Sequence, residues 1–189
     1  MILILIGQTA SGKTTVKNLL VEKFGFSPII TYTTRPKREG EENGVDYFFI
    51  TNEDFNARKG YKFFAETTEY DADFGYCQYG SAYHDYVSDG NKRVVILNPD
   101  GARQIKDLAK IAGSPIKPYV TLISVEQSIL VERALKRGDK PEEINRRLIA
   151  DSPKFDALRM DGYIDATIFV DENTDPEHIC KLIMEVLPK

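Results

Sequence analysis

The first 24 residues constrain the fold more tightly than any other part of this chain. The apolar run Ile2-Leu3-Ile4-Leu5-Ile6 leads into Gly7-Gln8-Thr9-Ala10-Ser11-Gly12-Lys13-Thr14, which fills the pattern G-x-x-x-x-G-K-[ST]. A helix-like stretch over residues 15–24 follows. A strand feeding a glycine-rich loop feeding a helix aims several backbone N–H groups, and the positive end of the helix dipole, at one spot. Such a spot binds phosphate. In this motif the lysine, Lys13, reaches the β- and γ-phosphates of a nucleoside triphosphate, and the hydroxyl of Thr14 ligates Mg²⁺.

The rest of the chain extends that beginning into an α/β pattern. Short runs rich in Val and Ile at residues 93–97, 119–123 and 166–170 predict strands buried on both faces, with a weaker one at 28–30. Helical patterns alternate with them. Residues 100–112 put Ile105, Leu108, Ala109 and Ala112 on one face. Ser124 and Gln127 predict a capping box ahead of a helix over 129–136. Pro141 opens a helix over 142–159. Thr174 and Glu177 predict a second capping box, with Pro176 in the first turn. Strand alternating with helix gives a parallel sheet covered on both faces.

One stretch breaks the alternation. Residues 31–89 are aromatic, charged and β-rich and hold eight of the ten tyrosines, so they predict a small mixed lobe inserted into the core. Residues 136–141 predict a short charged loop between two helices. With 189 residues and 42% hydrophobic content, one domain with a substantial core is expected. The net charge of −4 leaves no basic footprint for nucleic acid. Cys77 and Cys180 lack metal-ligand spacing and read as ordinary reduced thiols. The opening apolar run has no basic region before it, and no run approaches the length of a membrane span. The first strand starts at the first residue, so no targeting extension and no membrane partner are expected, and the cytoplasm is the expected location.

Two further constellations carry chemistry. Thr33-Thr34-Arg35-Pro36-Lys37-Arg38 puts three cations in four residues, and arginine's planar fork suits phosphate oxygens. Taken alone, that string also fits a solvated loop. The turn-rich segment after it ends in Tyr47, whose hydroxyl suits a phosphate site.

The residues from Thr33 to Phe49, reading Thr-Thr-Arg-Pro-x-Arg-x-Gly-Glu-x-x-Gly-x-Asp-Tyr-x-Phe, resemble the GMP-binding segment of guanylate kinases. Phe64-Ala65-Glu66, Tyr79-Gly80-Ser81, the run from Arg133 to Gly138 and the run from Ile144 to Leu148 continue the resemblance in order along nearly the whole chain. It implies a P-loop NTPase three-layer core, with a central parallel five-stranded sheet, from residues 1–30 and 90–189. It also implies a GMP-binding lobe at about 31–89 and a lid at about 136–147. Gly7, Gln8, Thr9, Ala10, Ser11, Gly12, Lys13, Thr14 and Thr15 would hold ATP, with Asp171 near its base. Arg35, Arg38, Tyr47 and Tyr79 would hold the GMP phosphate, Glu66 and Ser81 would read the base, and Thr31 lies close by. Lys13, Arg35, Arg133, Arg137 and Arg147 would act on the transferring phosphoryl group. Thr14 and, in a supporting role, Asp100 would serve Mg²⁺, and Asp100 is also placed for the GMP ribose. ATP and GMP would be the partners of a monomer or homodimer.

The guanine assignment has its own physical sense. Guanine presents N1–H and the 2-amino group as adjacent donors and O6 as an acceptor. A carboxylate accepts from the donors and a hydroxyl donates to O6, whereas adenine leaves a buried Glu66 unpaired. A plain strand carboxylate at Glu66, and a helix N-cap at Ser81 ahead of residues 82–89, are the bland alternatives. Three departures from the family pattern stand out: Asn98 where the family has Asp, Asp171 where it favours Asn, and extra residues at 69–78 with no assigned role. Two other functions stay open, a kinase of the same fold with another phosphorylated acceptor and a non-catalytic module that binds phosphopeptides.

Overall fold

A computed structural model describes residues 1–72, 75–87 and 90–188. In chain order the elements begin β1 (Ile2–Ile6), α1 (Lys13–Phe24), β2 (Ser27–Pro28), β3 (Tyr32–Thr33), β4 (Phe48–Phe49), α2 (Asn52–Gly60), β5 (Phe64–Ala72) and β6 (Gly75–Ala82). A 3₁₀ turn at Tyr83–Tyr86 precedes β7 (Arg93–Ile96), α3 (Pro99–Lys110), β8 (Pro118–Val125), α4 (Gln127–Lys136), α5 (Pro141–Met160), β9 (Ala166–Val170) and α6 (Pro176–Val186).

The core is a five-stranded parallel sheet in the order β2-β7-β1-β8-β9. Side chains alternate along β1, and the alternation divides the interior in two. Ile2, Ile4 and Ile6 join one cluster with Ile105 of α3 and Phe155 and Leu158 of α5. Leu3 and Leu5 join another with Val16 and Leu20 of α1 and Ile179 and Ile183 of α6. Both faces of the sheet are therefore buried, which is why β1 reads as an unbroken apolar run. The three layers match the expected architecture. Among the described residues no helix is long and apolar enough to cross a membrane.

A second, four-stranded sheet in the order β4-β3-β6-β5 is built from the aromatic segment. It is mixed: β3 and β4 run parallel, while β3–β6 and β5–β6 are antiparallel. Phe55 of α2 is fully buried and stacks on Phe64 at 4.4 Å, so aromatic area substitutes here for an aliphatic core. Gln104 of α3 ties this sheet to the core. Its Nε2 donates to the Thr67 carbonyl at 3.0 Å and its Oε1 accepts from the Thr67 N–H at 3.1 Å, as a neighbouring strand would.

Three local expectations are overturned. Ser124 does not cap α4, because pairing with β9 carries β8 on to Val125 and sets Ser124 opposite Phe169. Glu126 is the N-cap and makes no side-chain capping bond. Thr174 does not cap α6 either; Asp175 holds that position. The Thr174 hydroxyl instead donates to Asp171 Oδ1 at 2.6 Å and accepts from the Asp171 N–H at 3.1 Å, closing a turn of its own. Ser81 is a strand residue, and the turn after it is capped by Ala82. A helix over 82–89 is reduced to that single turn, and residues 88 and 89 lie outside the described set. The extra residues at 69–78 form the outer half of the β5–β6 hairpin, with Tyr70 opposite Cys77 and Asp71 opposite Tyr76; residues 73 and 74 lie outside the described set.

Candidate active site

β1 ends at the glycine loop, β7 at Ile96 just ahead of Asn98, β8 at Val125 and β9 at Val170 just ahead of Asp171. The carboxyl ends of parallel strands are where open α/β sheets bind ligands. The loop that leaves β1 is tightly determined. A Cβ on Gly7 would lie 2.7 Å from the Ile123 carbonyl, so no larger residue fits there. Gly12 has φ 89°, which lets the chain turn into α1. Lys13 folds back over the loop. Its ammonium donates to the carbonyls of Gly7 at 2.8 Å and Gln8 at 2.7 Å and to Ser11 Oγ at 3.1 Å. Burial draws its pKa down to about 8, with Asp151 opposing and the Arg137 charge adding to the fall. Thr14 and Thr15 stand exposed in the first turn of α1.

Around the loop, Gln8 Nε2 donates to Ser152 Oγ of α5 at 3.2 Å, and Arg137 Nη2 donates to Thr9 Oγ1 at 3.4 Å. The three basic residues expected at the transferring group have separate partners. Arg137 reaches the loop and also pairs with Asp139. Arg147 donates to Glu143 at 2.6 Å. Arg133 donates to the Asp171 carbonyl at 3.3 Å. The Asp171 carboxylate accepts from Thr174 Oγ1 and from the Asn173 N–H, and these bonds hold its pKa below the usual range.

The second cluster lies on the smaller sheet. Arg35 is buried, with 5% exposure, and its fork binds Glu41 at 2.7 and 3.0 Å. Burial works against its charge, but Glu41 and Tyr79 outweigh that and raise its pKa. The guanidinium sits 5.3 Å from the Tyr47 ring, and Tyr47 in turn packs edge-on against Tyr79 at 6.1 Å. Arg38 is exposed; its N–H donates to Glu41 at 2.8 Å. Glu41 thus organises both arginines.

Glu66 is buried, with 4% exposure, and has no ion-pair partner among the described residues. A register shift between Phe64 and Glu66 sets Glu66 opposite Ser81, whose Oγ donates to its Oε1 at 2.7 Å. Burial pushes the Glu66 carboxyl up to about 7, and the Ser81 bonds pull the other way. Gly101 forms the wall behind: a Cβ there would meet Glu66 Oε2 at 2.9 Å. Thr31 contributes its carbonyl to the Phe48 N–H at 2.9 Å. Asn98 caps α3, accepting from the Gly101 N–H at 2.7 Å, and its amide donates to the Tyr70 hydroxyl. Asp100 in the next turn accepts from Lys154 at 2.6 Å. The neutral Asn98 therefore has two structural tasks.

For a metal the residues offer hard oxygen donors, Thr14 and Asp100, and the described residues contain no cluster of three or more His, Cys, Asp or Glu able to hold an ion. That donor set suits Mg²⁺, which keeps several waters and takes one or two protein oxygens beside substrate phosphates. Sequence reasoning missed Glu41, Asp151, Tyr70 and Tyr86 as parts of these clusters. Glu41 lies inside the quoted segment and was recoverable; the other three meet these clusters only through folding.

Fold and geometry together define a class: a phosphate-loop NTPase fold with a second, smaller sheet that carries a buried arginine and a buried carboxylate. A family model described as guanylate kinase matches residues 1–187. The chain belongs to the guanylate kinase family. It is 33% identical over 171 residues to the guanylate kinase of Nitratidesulfovibrio vulgaris, covering 86% of this chain and 77% of that one. It is 34% identical over 161 residues to that of Symbiobacterium thermophilum, covering 82% and 71%. The crystal structure of guanylate kinase from Anaplasma phagocytophilum shares the fold, with a TM-score of 0.70 at 23% identity over 98% of this chain and 83% of that one.

Proposed function

We propose that this protein transfers the γ-phosphoryl group of ATP to GMP, and to dGMP, giving ADP and the guanosine diphosphate. The observation that carries the reading is Glu66. A buried carboxylate with no cation beside it among the described residues is costly, and perturbed groups of this kind cluster at functional sites. Guanine's N1–H and 2-amino donors supply the missing partners, and Ser81 faces O6. Arg35, Arg38, Tyr47 and Tyr79 take the GMP phosphate, with Arg35 held in place by Glu41 and offering the N–H groups which that pair leaves over. Asp100 serves the ribose or the outer shell of the metal, and Thr31 borders the base.

Residues Gly7 to Thr15 take the phosphates of ATP, with Lys13 on the β- and γ-oxygens. Mg²⁺, held through the Thr14 hydroxyl, would neutralise charge on those oxygens. Lys13, Arg35, Arg133, Arg137 and Arg147 compensate the charge of the transition state, and no general base is needed because the accepting phosphate is already anionic. Asp171 borders the donor base. We assign residues 31–89 to a lobe that closes on GMP and residues 136–147 to a lid that excludes water. The enzyme works as a monomer or homodimer in the cytoplasm, on small-molecule substrates alone.

A coupled assay of ADP release with a panel of acceptors tests this. GMP and dGMP are expected to turn over, and AMP, CMP and UMP to be at least about a hundredfold worse. Equal turnover of AMP would remove the guanine assignment, and silence with every acceptor would leave a binding module.

A further inference from the structure

Ser81 Oγ lies 2.7 Å from Glu66 Oε1 and 2.7 Å from the hydroxyl of Tyr86. A serine hydroxyl has one proton and can both donate and accept, so by itself it discriminates poorly between an oxo and an amino group. The contacts of Ser81 bias that choice. Its Oγ–H donates to Glu66 Oε1, so the Ser81 proton points at Glu66. Tyr86 must then be the donor in its bond to Ser81. It has nowhere else to turn: the side chain is fully buried, and Ser81 is its one hydrogen-bond partner among the described residues. Burial also raises its pKa well above the usual range, so the phenol keeps its proton. The ring is held by the core cluster that includes Ile29, Ala102 and Ile105.

We propose that Tyr86 is a specificity-determining positioning residue, which holds the Ser81 hydroxyl as a donor toward the base and so selects a 6-oxopurine over a 6-aminopurine. This rests on the reading of Glu66 and Ser81 given above. When guanine enters, its N1–H and 2-amino groups occupy Glu66. The Ser81 proton, released from Glu66 and blocked by Tyr86 on its other side, turns to O6. A 6-amino group needs Ser81 as an acceptor instead; Tyr86 fills one of the two Ser81 lone pairs, and the polarisation from that bond makes the hydroxyl a better donor and a poorer acceptor. Tyr86 touches neither base nor phosphate and acts through Ser81 alone.

The test compares kcat/KM for GMP with that for 2,6-diaminopurine ribonucleoside monophosphate, which changes the 6-oxo group to amino and keeps the 2-amino group. Its N1 also differs, but equally for every variant. Tyr86→Phe is expected to shrink the preference for GMP about tenfold, through KM, with KM for ATP unchanged. In a Ser81→Ala background the same substitution is expected to change nothing further. A purely structural role predicts equal losses on both nucleotides and an unchanged ratio, which overturns the proposal, as does an additive double variant. If Tyr86→Phe does not fold, 3-fluorotyrosine incorporated at position 86 is a stronger donor and is expected to widen the ratio; an unchanged or narrower ratio overturns the proposal. Wild-type protein that turns over GMP while the ratio stays fixed removes only the role of Tyr86. Wild-type protein that neither phosphorylates GMP nor binds it by calorimetry removes the reading of the site and this inference together.

Discussion

Glu66 is under two opposed demands. The fold favours it neutral, since burial raises its pKa to about 7, and the guanine base favours it ionised. KM for GMP is therefore expected to fall as pH rises through about 7 and then level off, while KM for ATP does not follow. Glu66→Gln is expected to flatten that profile and raise KM for GMP at least about tenfold. Stability moves the other way. A carboxyl whose pKa is raised by folding favours the native state fully below its unfolded value and loses that contribution as pH rises through the folded value. Glu66→Gln is thus expected to be more stable than wild type at pH 8, by roughly 3 kcal/mol or less, and so to melt higher there, and to differ little near pH 4.5. Thermal melts at the two pH values decide it; an equal difference at both would mean that Glu66 is not buried as an acid. At this scale the sequence was legible where a motif named the residue, as at Glu66, Ser81 and Arg35. Tyr86 was not, because nothing in its neighbours' identities says that its hydroxyl meets Ser81.

The phosphate loop is an element stabilised by its own lysine. Lys13 satisfies three oxygens of the loop before any phosphate arrives. Lys13→Met is therefore expected to lower the melting temperature by several degrees as well as kcat by about a hundredfold or more. Loss of kcat with an unchanged melt would show that the loop holds its shape unaided. The start of α3 depends in a similar way on Asn98. Asn98→Ala removes the cap and the Tyr70 contact and is expected to cost about 1 kcal/mol or more in chemical denaturation. Asn98→Asp keeps an acceptor for the Gly101 N–H and is expected to stay within about 0.5 kcal/mol of wild type; a loss as large as that of alanine would refute the capping role. Helix starts were the least legible elements. Ser124 and Thr174 have capping sequences, but a strand ladder claims one and a local turn the other. Local patterns predict what a segment can do alone, and tertiary pairing decides which option it takes.

Across the whole molecule, α3 joins the two sheets. Asn98 meets Tyr70, Gln104 meets Thr67, and Gly101 backs Glu66. Gln104→Leu is expected to speed amide exchange along Phe64–Ala72 and raise KM for GMP a few-fold, with KM for ATP unchanged. Exchange unaltered in that strand would show that the smaller sheet does not lean on α3. The sequence by itself determined the parallel core, since unbroken apolar strands alternating with helices have few other ways to bury themselves. It also determined the phosphate loop, whose chemistry lies in consecutive residues and needs only the strand and helix beside it. The tertiary structure alone decided which polar groups end up desolvated together. Glu66 and Ser81 are 15 positions apart, and Gln104 and Thr67 are 37 apart. Those distances are closed by sheet register and by α3 docking against β5, and burial at the junction, which no local pattern encodes, sets the proton on Glu66 and the direction of the hydrogen bonds around it.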